Sequence, residues 1–508
     1  MTGEDGSNFL RNTADSDLIL VLDQGTTSSR ALLFDSGGVL VSGSRQLFQQ
    51  FYPRPGWVEH DPMEILSSQL EAFTGVLVSA NIRPERIAGL GITNQRETTI
   101  LWDRKTGRPV GNAIVWQCRR TAEALEAICA DPKVADEITA RTGLIPDAYF
   151  SASKIAWVLD NTPGAREQAK KGELAFGTVD SWLIYSLTGG KVHATDVTNA
   201  SRTMLYNIYD GCWDEGMLEL FDIPASLMPE VCPSAFDYGL VEHPLLPRGL
   251  RICGVAGDQQ SALFGQRCFS LGEAKCTMGT GSFMLMHTGD KPCISKNRLI
   301  TTVAASAPGQ KGFEYALEGS IFVAGGVVQW LRDGLGVLQS AEESETLASG
   351  VADTAGVYFV PAFTGLGAPW WDPEARGAIT GLTHGAKREH IVRAALESLA
   401  YQTADLISAF ESDAAVPITS LKADGGVSAN GFLMQFMSDI LGIPVIRPEN
   451  RKATGLGAAF LAGLASGFWR DQKELVALDL ETKEFLPGEA DRQALIDGWH
   501  DALARARS

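Results

Sequence analysis

Apolar runs of strand length recur along the chain and are joined by stretches in which apolar residues follow helical spacing. The runs lie at residues 18–22, 31–34, 87–92 and 252–256 and contain only apolar residues and glycine. A continuous run of this kind is typical of a strand that is buried on both faces. Apolar residues from 65 to 77 instead follow helical spacing, after an Asp61-Pro62 pair that predicts a capped helix start. The pattern therefore predicts an α/β protein.

The strand–turn–strand unit that opens the chain occurs a second time in the other half. The first unit has a Gly-Thr-Thr turn at residues 25–27, and the second has a Gly-Thr-Gly turn at residues 279–281. The second unit has no carboxylate at the place that matches Asp23. Two such units predict two related domains that face each other across a nucleotide. The predicted segments are a flexible tail at residues 1–17, an N-terminal domain at 18–266 and a C-terminal domain at 267–508.

Several local structures are predicted between and after these units. Residues 101–102 and 113–116 are expected to continue the first sheet, and residues 117–120 to open a helix. Asp180 is expected to cap the start of another helix. Residues 195–202 are rich in hydrogen-bonding side chains, which predicts a polar loop. Residues 454–464 predict a helix of small residues that allows close packing and a hinge.

The composition limits the classes of partner. The 508 residues are 45% hydrophobic and 20% charged, as in ordinary globular proteins, and their number predicts two or more domains. The formal net charge of −18 argues against nucleic acid and anionic membranes as main partners. A bound polyanion therefore needs local neutralisation by Arg, Lys or Mg²⁺.

The cysteines and the first residues predict a location. None of the eight cysteines belongs to a C-x-x-C pair, and no histidine cluster stands near them, so structural zinc is not expected. Their spacing is typical of a reducing compartment, and we expect the cytoplasm. The first 17 residues lack the apolar core of a signal peptide, and no apolar run is long enough to cross a bilayer.

The first turn carries a combination of groups that suits phosphate. Gly25 lets the backbone approach a ligand closely, and the hydroxyl residues after it can form an anion-binding nest with their N–H groups. Arg30 offers a donor fork for phosphate, and Asp23 ends a buried strand, where a carboxylate can hold a hydrated Mg²⁺. The alternative is an ordinary hairpin with a polar turn. That alternative does not account for Asp23 and Arg30 beside the turn.

Charged residues also follow two other buried strands. Arg96 and Glu97 come after the run at residues 87–92, at the strand end where ligands bind in open α/β sheets. The alternative is that Arg96 and Glu97 form a surface ion pair, which is usually worth little. Consecutive strand residues face opposite ways, so the two need not pair with each other. Asp258 comes after the run at residues 252–256 and opens a helix. It is a candidate general base, and the alternative is a helix cap.

Eight segments, in one order, carry a resemblance to a known family. They lie at residues 22–30, 52–62, 91–99, 113–120, 257–260, 279–281, 363–372 and 424–430. On these segments the chain resembles the FGGY carbohydrate kinases, which belong to the actin-like ATPases, over residues 18–464. The resemblance implies an α/β fold of two ribonuclease-H-like (actin-like ATPase) domains with an interdomain active-site cleft.

Within that family the chain is most similar to kinases that act on glycerol. The resemblance implies ATP-dependent phosphorylation of glycerol to sn-glycerol 3-phosphate, with Asp258 as the base and Asp23 as the residue that orients Mg²⁺. The implied glycerol-binding residues are Arg96, Glu97, Tyr149, Asp258 and Gln259, with Trp116 and Phe283 packing on the carbon atoms. The implied contacts to ATP are Thr26, Thr27, Ser28, Arg30, Thr280, Gly325, Gln329, Gly426 and Asn430.

Other functions stay open at this point. A kinase for another polyol or a pentulose is the first alternative. A non-catalytic nucleotide switch or an actin-like filament is the second, and the presence of Asp23 and Asp258 argues against it. A transcriptional sugar sensor is disfavoured because no helix-turn-helix segment precedes residue 18. The expected partners are glycerol, ATP and ADP, in a homo-oligomer (dimer or tetramer) that inserts into no membrane and binds no nucleic acid.

Overall fold

The computed structural model describes residues 17–450, 452–489 and 491–507. Of the flexible tail predicted at residues 1–17, only Asp17 falls within this part, and the rest lies outside the described residues. Asp17 forms a surface ion pair with Arg86.

The first of two large sheets has six strands. Their spatial order is Ala235–Leu240, Arg251–Gly257, Ile87–Asn94, Leu18–Gln24, Ser28–Asp35 and Leu40–Leu47. Leu18–Gln24 runs parallel to Ile87–Asn94 and antiparallel to Ser28–Asp35, to which the predicted turn at residues 25–27 connects it. Every residue of Leu18–Gln24 is buried, as its continuous apolar run predicts.

The second large sheet has seven strands and repeats this arrangement. Their spatial order is Ile300–Val303, Tyr315–Ile321, Ser282–Gly289, Ala274–Met278, Leu421–Asp424, Val445–Pro448 and Thr482–Phe485. Ala274–Met278 pairs antiparallel with Ser282–Gly289 and parallel with Leu421–Asp424. A hairpin whose first strand has a parallel neighbour on its other side thus occurs in both halves. The predicted two-part α/β architecture is confirmed.

Helices cover the sheets and connect their strands. Those up to the middle of the chain are Pro62–Ala80, Ala122–Ile128, Pro132–Thr142, Ser151–Asn161, Ala165–Lys170, Val179–Leu187, Val197–Ala200, Glu215–Leu220 and Asp258–Gly265. Those after it are Gly325–Gln329, Glu343–Ser349, Arg388–Ala414, Gly431–Leu441, Ala453–Ser466, Gln472–Ala477 and Arg492–Ala506. Asp61 accepts a hydrogen bond from the Met63 N–H and caps Pro62–Ala80, as predicted. In the described part of the chain, no helix is both long and apolar enough to span a membrane.

The predicted continuation of the first sheet is wrong. Ile100–Asp103 pairs with Leu174–Gly177, and Ala113–Ile114 pairs with Glu59–His60, each in a separate two-stranded sheet. An apolar run predicts burial but not the partner strand, and these strands are largely buried although they lie outside the six-stranded sheet. The next helix begins at Ala122, because residues 117–120 form turns.

Two predictions about polar residues are also wrong. Asp180 lies inside the first turn of Val179–Leu187, whose cap position is Thr178, and its carboxylate accepts from the hydroxyls of Thr178 and Thr195. Residues 195–202 are buried, and 195–200 form the end of a strand and the helix Val197–Ala200 in place of the predicted loop, with a turn at 201–202. Their polar side chains bond to one another in place of water, an arrangement that composition alone does not reveal.

The helix of small residues, Ala453–Ser466, packs on the first sheet although it lies late in the chain. Its side chains share an apolar cluster with Ile19, Val21 and Leu32. A Cβ atom at Gly457 would lie 1.7 Å from the Ser261 carbonyl oxygen, so this helix and Asp258–Gly265 touch backbone to backbone. The second half of the chain thereby supports the helix that begins with Asp258.

Candidate active site

Two neighbouring parallel strands deliver the central charged residues. Ile87–Asn94 and Arg251–Gly257 pair in parallel, with Gly257 opposite Asn94. Arg96 and Glu97 follow the first strand, and Asp258 is the residue directly after the second. Because parallel strands end at the same edge of a sheet, these side chains meet there. Arg96 Nε lies 3.2 Å from Asp258 Oδ1.

A second carboxylate reaches Arg96 from the other sheet. Glu318, on the strand Tyr315–Ile321, accepts two hydrogen bonds from Arg96: Nη1 to Oε2 is 2.6 Å and Nη2 to Oε1 is 2.9 Å. Gln260 Oε1 accepts a third bond, from Arg96 Nη1 at 3.0 Å. Both partners of this guanidinium fork, Glu318 on a strand and Gln260 on a helix, are fixed by regular secondary structure, so its orientation is strongly constrained.

Arg202 completes the network as a second buried cation. Its Nε donates to Glu97 Oε1 at 2.6 Å, and its Nη2 donates to Glu318 Oε1 at 3.1 Å. Burial alone would raise the pKa of Glu318, but Arg202 and Arg96 outweigh it and lower the pKa to about 2. Burial raises the pKa of Glu97, and the opposing charges of Arg202 and Arg96 do not fully offset this effect.

The Arg96–Glu97 pair is therefore not the surface pair of the alternative interpretation. Both side chains are at most 2% exposed, and Arg96 Nε lies 3.8 Å from Glu97 Oε1. The expectation that they face opposite ways is also wrong, because Glu97 has a φ of 60° and leaves strand geometry. A non-glycine residue in this conformation stores strain, and such residues cluster at functional sites.

Asp258 differs from the other four charged residues in its access to solvent. Its side chain is 34% exposed, whereas those of Arg96, Glu97, Arg202 and Glu318 are at most 2% exposed. Desolvation raises the pKa of Asp258 against the opposing charges of Arg96 and Lys275. Gly257 holds the helix cap position and Asp258 makes no side-chain capping bond, so the helix-cap alternative is wrong.

Aromatic rings form a wall beside these charges. The Trp116 ring lies 5.4 Å from Tyr149 and 6.5 Å from Phe283, both edge to face. Trp116 Nε1 donates to Thr26 Oγ1 at 3.1 Å, which joins the wall to the first turn. The Arg202 guanidinium carbon lies 5.7 Å from the Tyr149 ring centre. The wall offers apolar faces next to a row of charged hydrogen-bonding groups, an environment that suits a small polyol.

Lys275 links the second hairpin to the residue that follows Asp258. Its ammonium group donates to the Gln259 side-chain carbonyl, to Thr277 Oγ1 at 3.0 Å and to the Phe283 carbonyl at 3.3 Å. Burial lowers the pKa of Lys275, and nearby carboxylates oppose this effect. Residues of both halves therefore contribute to one site.

The first turn holds the predicted phosphate residues, but not all of them are accessible. Arg30 Nη1 donates to Asp23 Oδ2 at 3.1 Å across the hairpin. Thr27 is exposed and Thr26 is half-buried, whereas Ser28 is buried and its carbonyl accepts from the Gly25 N–H at 3.0 Å. In the described part of the chain, no group of three or more His, Cys, Asp or Glu residues could hold a metal. A hydrated Mg²⁺ needs only one or two protein carboxylates, and Asp23 is a carboxylate near the end of the strand that precedes this turn.

The second turn is held against a helix start. The Gly279 carbonyl accepts from the Gly325 N–H at 2.9 Å, and the Thr280 carbonyl accepts from the Gly326 N–H at 3.0 Å. A Cβ atom at Gly325 would lie 2.6 Å from the Gly279 oxygen, so glycine is required for this approach. The Thr280 and Gln329 residues are exposed next to this contact.

A pair of glycines lies beside the same turn. Gly425 has a φ of 89° and lies against the Met278 backbone, whereas a Cβ atom at Gly426 would meet nothing within 4 Å. Asn430 uses its side-chain oxygen to cap the helix Gly431–Leu441, and its Nδ2 donates to Ser344 at 3.3 Å. The predicted nucleotide residues therefore lie on three neighbouring elements of the second half: the turn of Thr280, the helix Gly325–Gln329 and the Gly425–Gly426 pair. Asn430 also serves as a helix cap.

Sequence analysis missed three charged members of this site. They are Arg202, Lys275 and Glu318. Glu318 is the one charged residue in the run at residues 315–322, which was a signal, because an isolated carboxylate in a buried strand needs a cation. Arg202 was not selected because it ends the segment 195–202, which was interpreted as a polar loop.

Each of the two sheets carries a glycine turn, and Asp258 lies where residues of both sheets meet. This arrangement is that of a two-domain kinase fold. The family models agree with this class. The chain matches the N-terminal domain of the FGGY family of carbohydrate kinases over residues 18–265 and the C-terminal domain over residues 274–466. The chain belongs to the FGGY family of carbohydrate kinases.

Individual relatives cover nearly the whole chain. A glycerol kinase of Carboxydothermus hydrogenoformans is 56% identical over 495 residues, 96% of this chain and 98% of the relative. Glycerol kinase 1 of Clostridium tetani is 54% identical over 490 residues, with the same coverage. The crystal structure of Plasmodium falciparum glycerol kinase with ADP superposes with a TM-score of 0.90 at 37% identity, covering 97% of this chain and 98% of that one. A xylulose kinase from Rhodospirillum rubrum, 23% identical with a TM-score of 0.82, shares the fold.

Proposed function

We propose that the chain transfers the γ-phosphoryl group of ATP to a terminal hydroxyl of glycerol, giving sn-glycerol 3-phosphate and ADP. The observation that carries the proposal is the position of Asp258. It is the accessible carboxylate of a buried charge network, and the aromatic wall of Trp116, Tyr149 and Phe283 lies beside that network. The glycerol kinases that match this chain over 96% of its length support the choice of substrate.

The proposed reaction assigns a separate task to each group. The Asp258 carboxylate accepts the proton of the attacking hydroxyl while that oxygen bonds to the γ-phosphorus and the bond to the ADP oxygen breaks. Arg96 and Glu97 orient the glycerol hydroxyls, and Tyr149 and Gln259 add further directional contacts. Trp116 and Phe283 pack on the carbon atoms and exclude water from the reacting phosphorus.

The proposed ATP site lies on the glycine turns of both halves. Thr26, Thr27, the backbone of Ser28, and Arg30 contact phosphate oxygens, and Thr280, Gly325, Gln329, Gly426 and Asn430 contact the rest of the nucleotide. Arg30 supplies positive charge close to the transferred group. Asp23 would hold Mg²⁺, which neutralises phosphate charge when it is bound.

Other assignments remain proposals of the same kind. The fold also suits other FGGY substrates, since a gluconate kinase and xylulose kinases share it at 19–23% identity. We propose cytoplasmic location, because all eight cysteines are free thiols. We propose a homo-oligomer, a dimer or a tetramer, from the family resemblance.

A coupled assay of ADP release across a panel of polyols and pentuloses tests the substrate. We expect glycerol to give the highest kcat/KM. The variant Asp258→Asn should lower kcat by about 10²–10⁴-fold with little change in ATP binding. Asp131→Asn is a matched control, because Asp131 caps a distant helix and asparagine caps equally well. Turnover of Asp258→Asn at the wild-type rate would disprove the base assignment.

A further inference from the structure

Glu318 occupies a position that is distinct from those of the other carboxylates in the site. It lies on the central part of the strand Tyr315–Ile321, opposite Leu285 on the neighbouring strand Ser282–Gly289. That neighbouring strand follows directly from the Gly279–Gly281 turn, where the nucleotide is proposed to bind. Glu318 therefore belongs to the sheet of the nucleotide half, yet both cations that donate hydrogen bonds to it belong to the first half.

The geometry restricts Glu318 to acting through its two guanidinium partners, Arg96 and Arg202. Its side chain is 0% exposed and both carboxylate oxygens accept from guanidinium groups, one of them from two arginines. Beside these bonds, Arg96 Nε lies 3.2 Å from Asp258 Oδ1. Without the Glu318 charge, Arg96 would keep Glu97 and Asp258 as its carboxylate neighbours, and its fork would have no bidentate acceptor.

We propose that Glu318 is a positioning residue for glycerol: from the nucleotide-binding sheet it fixes the orientation of Arg96, so that the polyol pocket is complete only when the two halves are in contact. The inference rests on the proposed function, because it assigns Arg96 to glycerol. It adds a residue of the second sheet that sequence analysis did not select. Its consequence is that a change at Glu318 weakens glycerol binding rather than ATP binding.

The second consequence concerns the pH dependence of Asp258. Burial is the main effect that opposes ionisation of the Asp258 carboxyl and raises its pKa; Arg96 and Lys275 lower the pKa, and the charge of Glu318 raises it further. Loss of the Glu318 charge removes that repulsion and frees Arg96 to move toward Asp258. Both effects favour the ionised base, so the acid limb of the kcat/KM profile should move to lower pH.

The test compares three variants with the wild-type chain. Glu318→Gln removes the charge at nearly constant volume, and Glu318→Asp retains the charge on a shorter side chain. Glu397→Gln is the matched control, because Glu397 is also a buried carboxylate of the second half, paired with Arg393 at 2.8 Å within the helix Arg388–Ala414. All four proteins are assayed for glycerol KM, ATP KM, the pH profile of kcat/KM and thermal unfolding.

For Glu318→Gln we expect the glycerol KM to rise about 10- to 100-fold, with the ATP KM within about threefold of wild type. Its acid limb should move to lower pH, and Glu318→Asp should restore the limb and part of the glycerol KM. Glu397→Gln should lose thermal stability without either kinetic change. If Glu318→Gln fails to fold, Glu318→Asp alone decides, by a glycerol KM that rises while the ATP KM does not.

The outcomes separate this inference from the proposed function. If the wild-type chain does not phosphorylate glycerol, the proposed function fails before any variant is compared. If it does, and the Glu318 variants keep the wild-type glycerol KM and pH profile, the positioning role is overturned. Equal increases in the glycerol and ATP KM values would also overturn it, because they indicate a general loss of structure.

Discussion

Arg30 and Asp23 face each other across the first hairpin, with Arg30 Nη1 3.1 Å from Asp23 Oδ2. The two residues are register partners on strands Leu18–Gln24 and Ser28–Asp35, so the sheet itself holds them together. The pair has a side that opens to solvent, because the Arg30 side chain is 32% exposed. A phosphate with its bound Mg²⁺ at this turn would find Arg30 and Asp23 side by side. Arg30 would face the negative phosphate oxygens, and Asp23 would face the positive ion.

Asp23→Asn should weaken the binding of Mg²⁺, because the anionic carboxylate is replaced by a neutral amide. We expect the Mg²⁺ concentration that gives half-maximal activity to rise about tenfold or more, at saturating ATP and glycerol. Asp35→Asn is the control: Asp35 ends the same hairpin at its far side and accepts from two backbone N–H groups of a turn. An unchanged magnesium titration for Asp23→Asn would show that Asp23 does not hold the ion.

The pH dependence of activity should reflect the raised pKa of Asp258. The folded protein disfavours the ionised carboxyl, so its pKa lies above the ordinary value of 3.8. The base acts only when it is ionised, and kcat/KM should therefore decrease as the pH falls through this raised pKa. We expect the acid limb of the pH profile at higher pH than that of a free aspartate, measured with glycerol below its KM. A kcat/KM that stays constant down to pH 4 would contradict the assignment of Asp258 as a base with a raised pKa.

Gly426→Ala separates nucleotide binding from folding. A Cβ atom at this position meets no protein atom within 4 Å, and the residue is exposed, so we expect no loss of thermal stability. If the nucleotide lies against Gly426, the added methyl group occupies its space. The ATP KM should then rise by about tenfold, equivalent to about 1.4 kcal/mol, with the glycerol KM nearly unchanged.

Gly111→Ala provides the matched control for this prediction. Gly111 is also exposed with open space at its Cβ position, and it lies in the first half, on a loop away from both glycine turns. The control should leave both KM values and the unfolding temperature unchanged. If Gly426→Ala behaves identically to it, the nucleotide does not contact Gly426.

The sequence predicted what depends on local pattern. The buried strand Leu18–Gln24, the capped helix Pro62–Ala80 and the second hairpin at Ala274–Gly289 follow from apolar runs, a helix-start pair and a glycine turn. The proximity of Arg96 and Asp258 was predictable as well, because parallel strands of one sheet end at one edge.

What depends on long-range packing was not predictable in the same way. The pairing of Ile100–Asp103 with Leu174–Gly177 is encoded in no local pattern, and an apolar run fits any buried neighbour. Glu318 and Arg202 meet Arg96 and Glu97 across more than 100 positions of sequence. Their charges identify them as candidates for a buried pair, but only the fold determines which cation serves which carboxylate.

Gly457→Ala tests the contact that supports the helix carrying Asp258. The added Cβ atom would lie 1.7 Å from the Ser261 carbonyl oxygen, so the helices Ala453–Ser466 and Asp258–Gly265 must separate. Alanine favours a helix over glycine by about 1 kcal/mol, but overpacking a close contact costs about 1–3 kcal/mol or more, and we expect a net loss of stability. Because Asp258 begins the displaced helix, kcat should fall as well.

The matched control for this change is Gly216→Ala. Gly216 also lies in a helix, Glu215–Leu220, and a Cβ atom there would approach no protein atom closer than 3.2 Å, so it meets none of the backbone overlap found at Gly457. We expect this variant to keep wild-type activity and to unfold at the same or a slightly higher temperature, since helix propensity is then the main effect. Calorimetry and steady-state kinetics on both variants decide the question. If Gly457→Ala retains the wild-type unfolding temperature and kcat, the close contact of the two helices does not position the base.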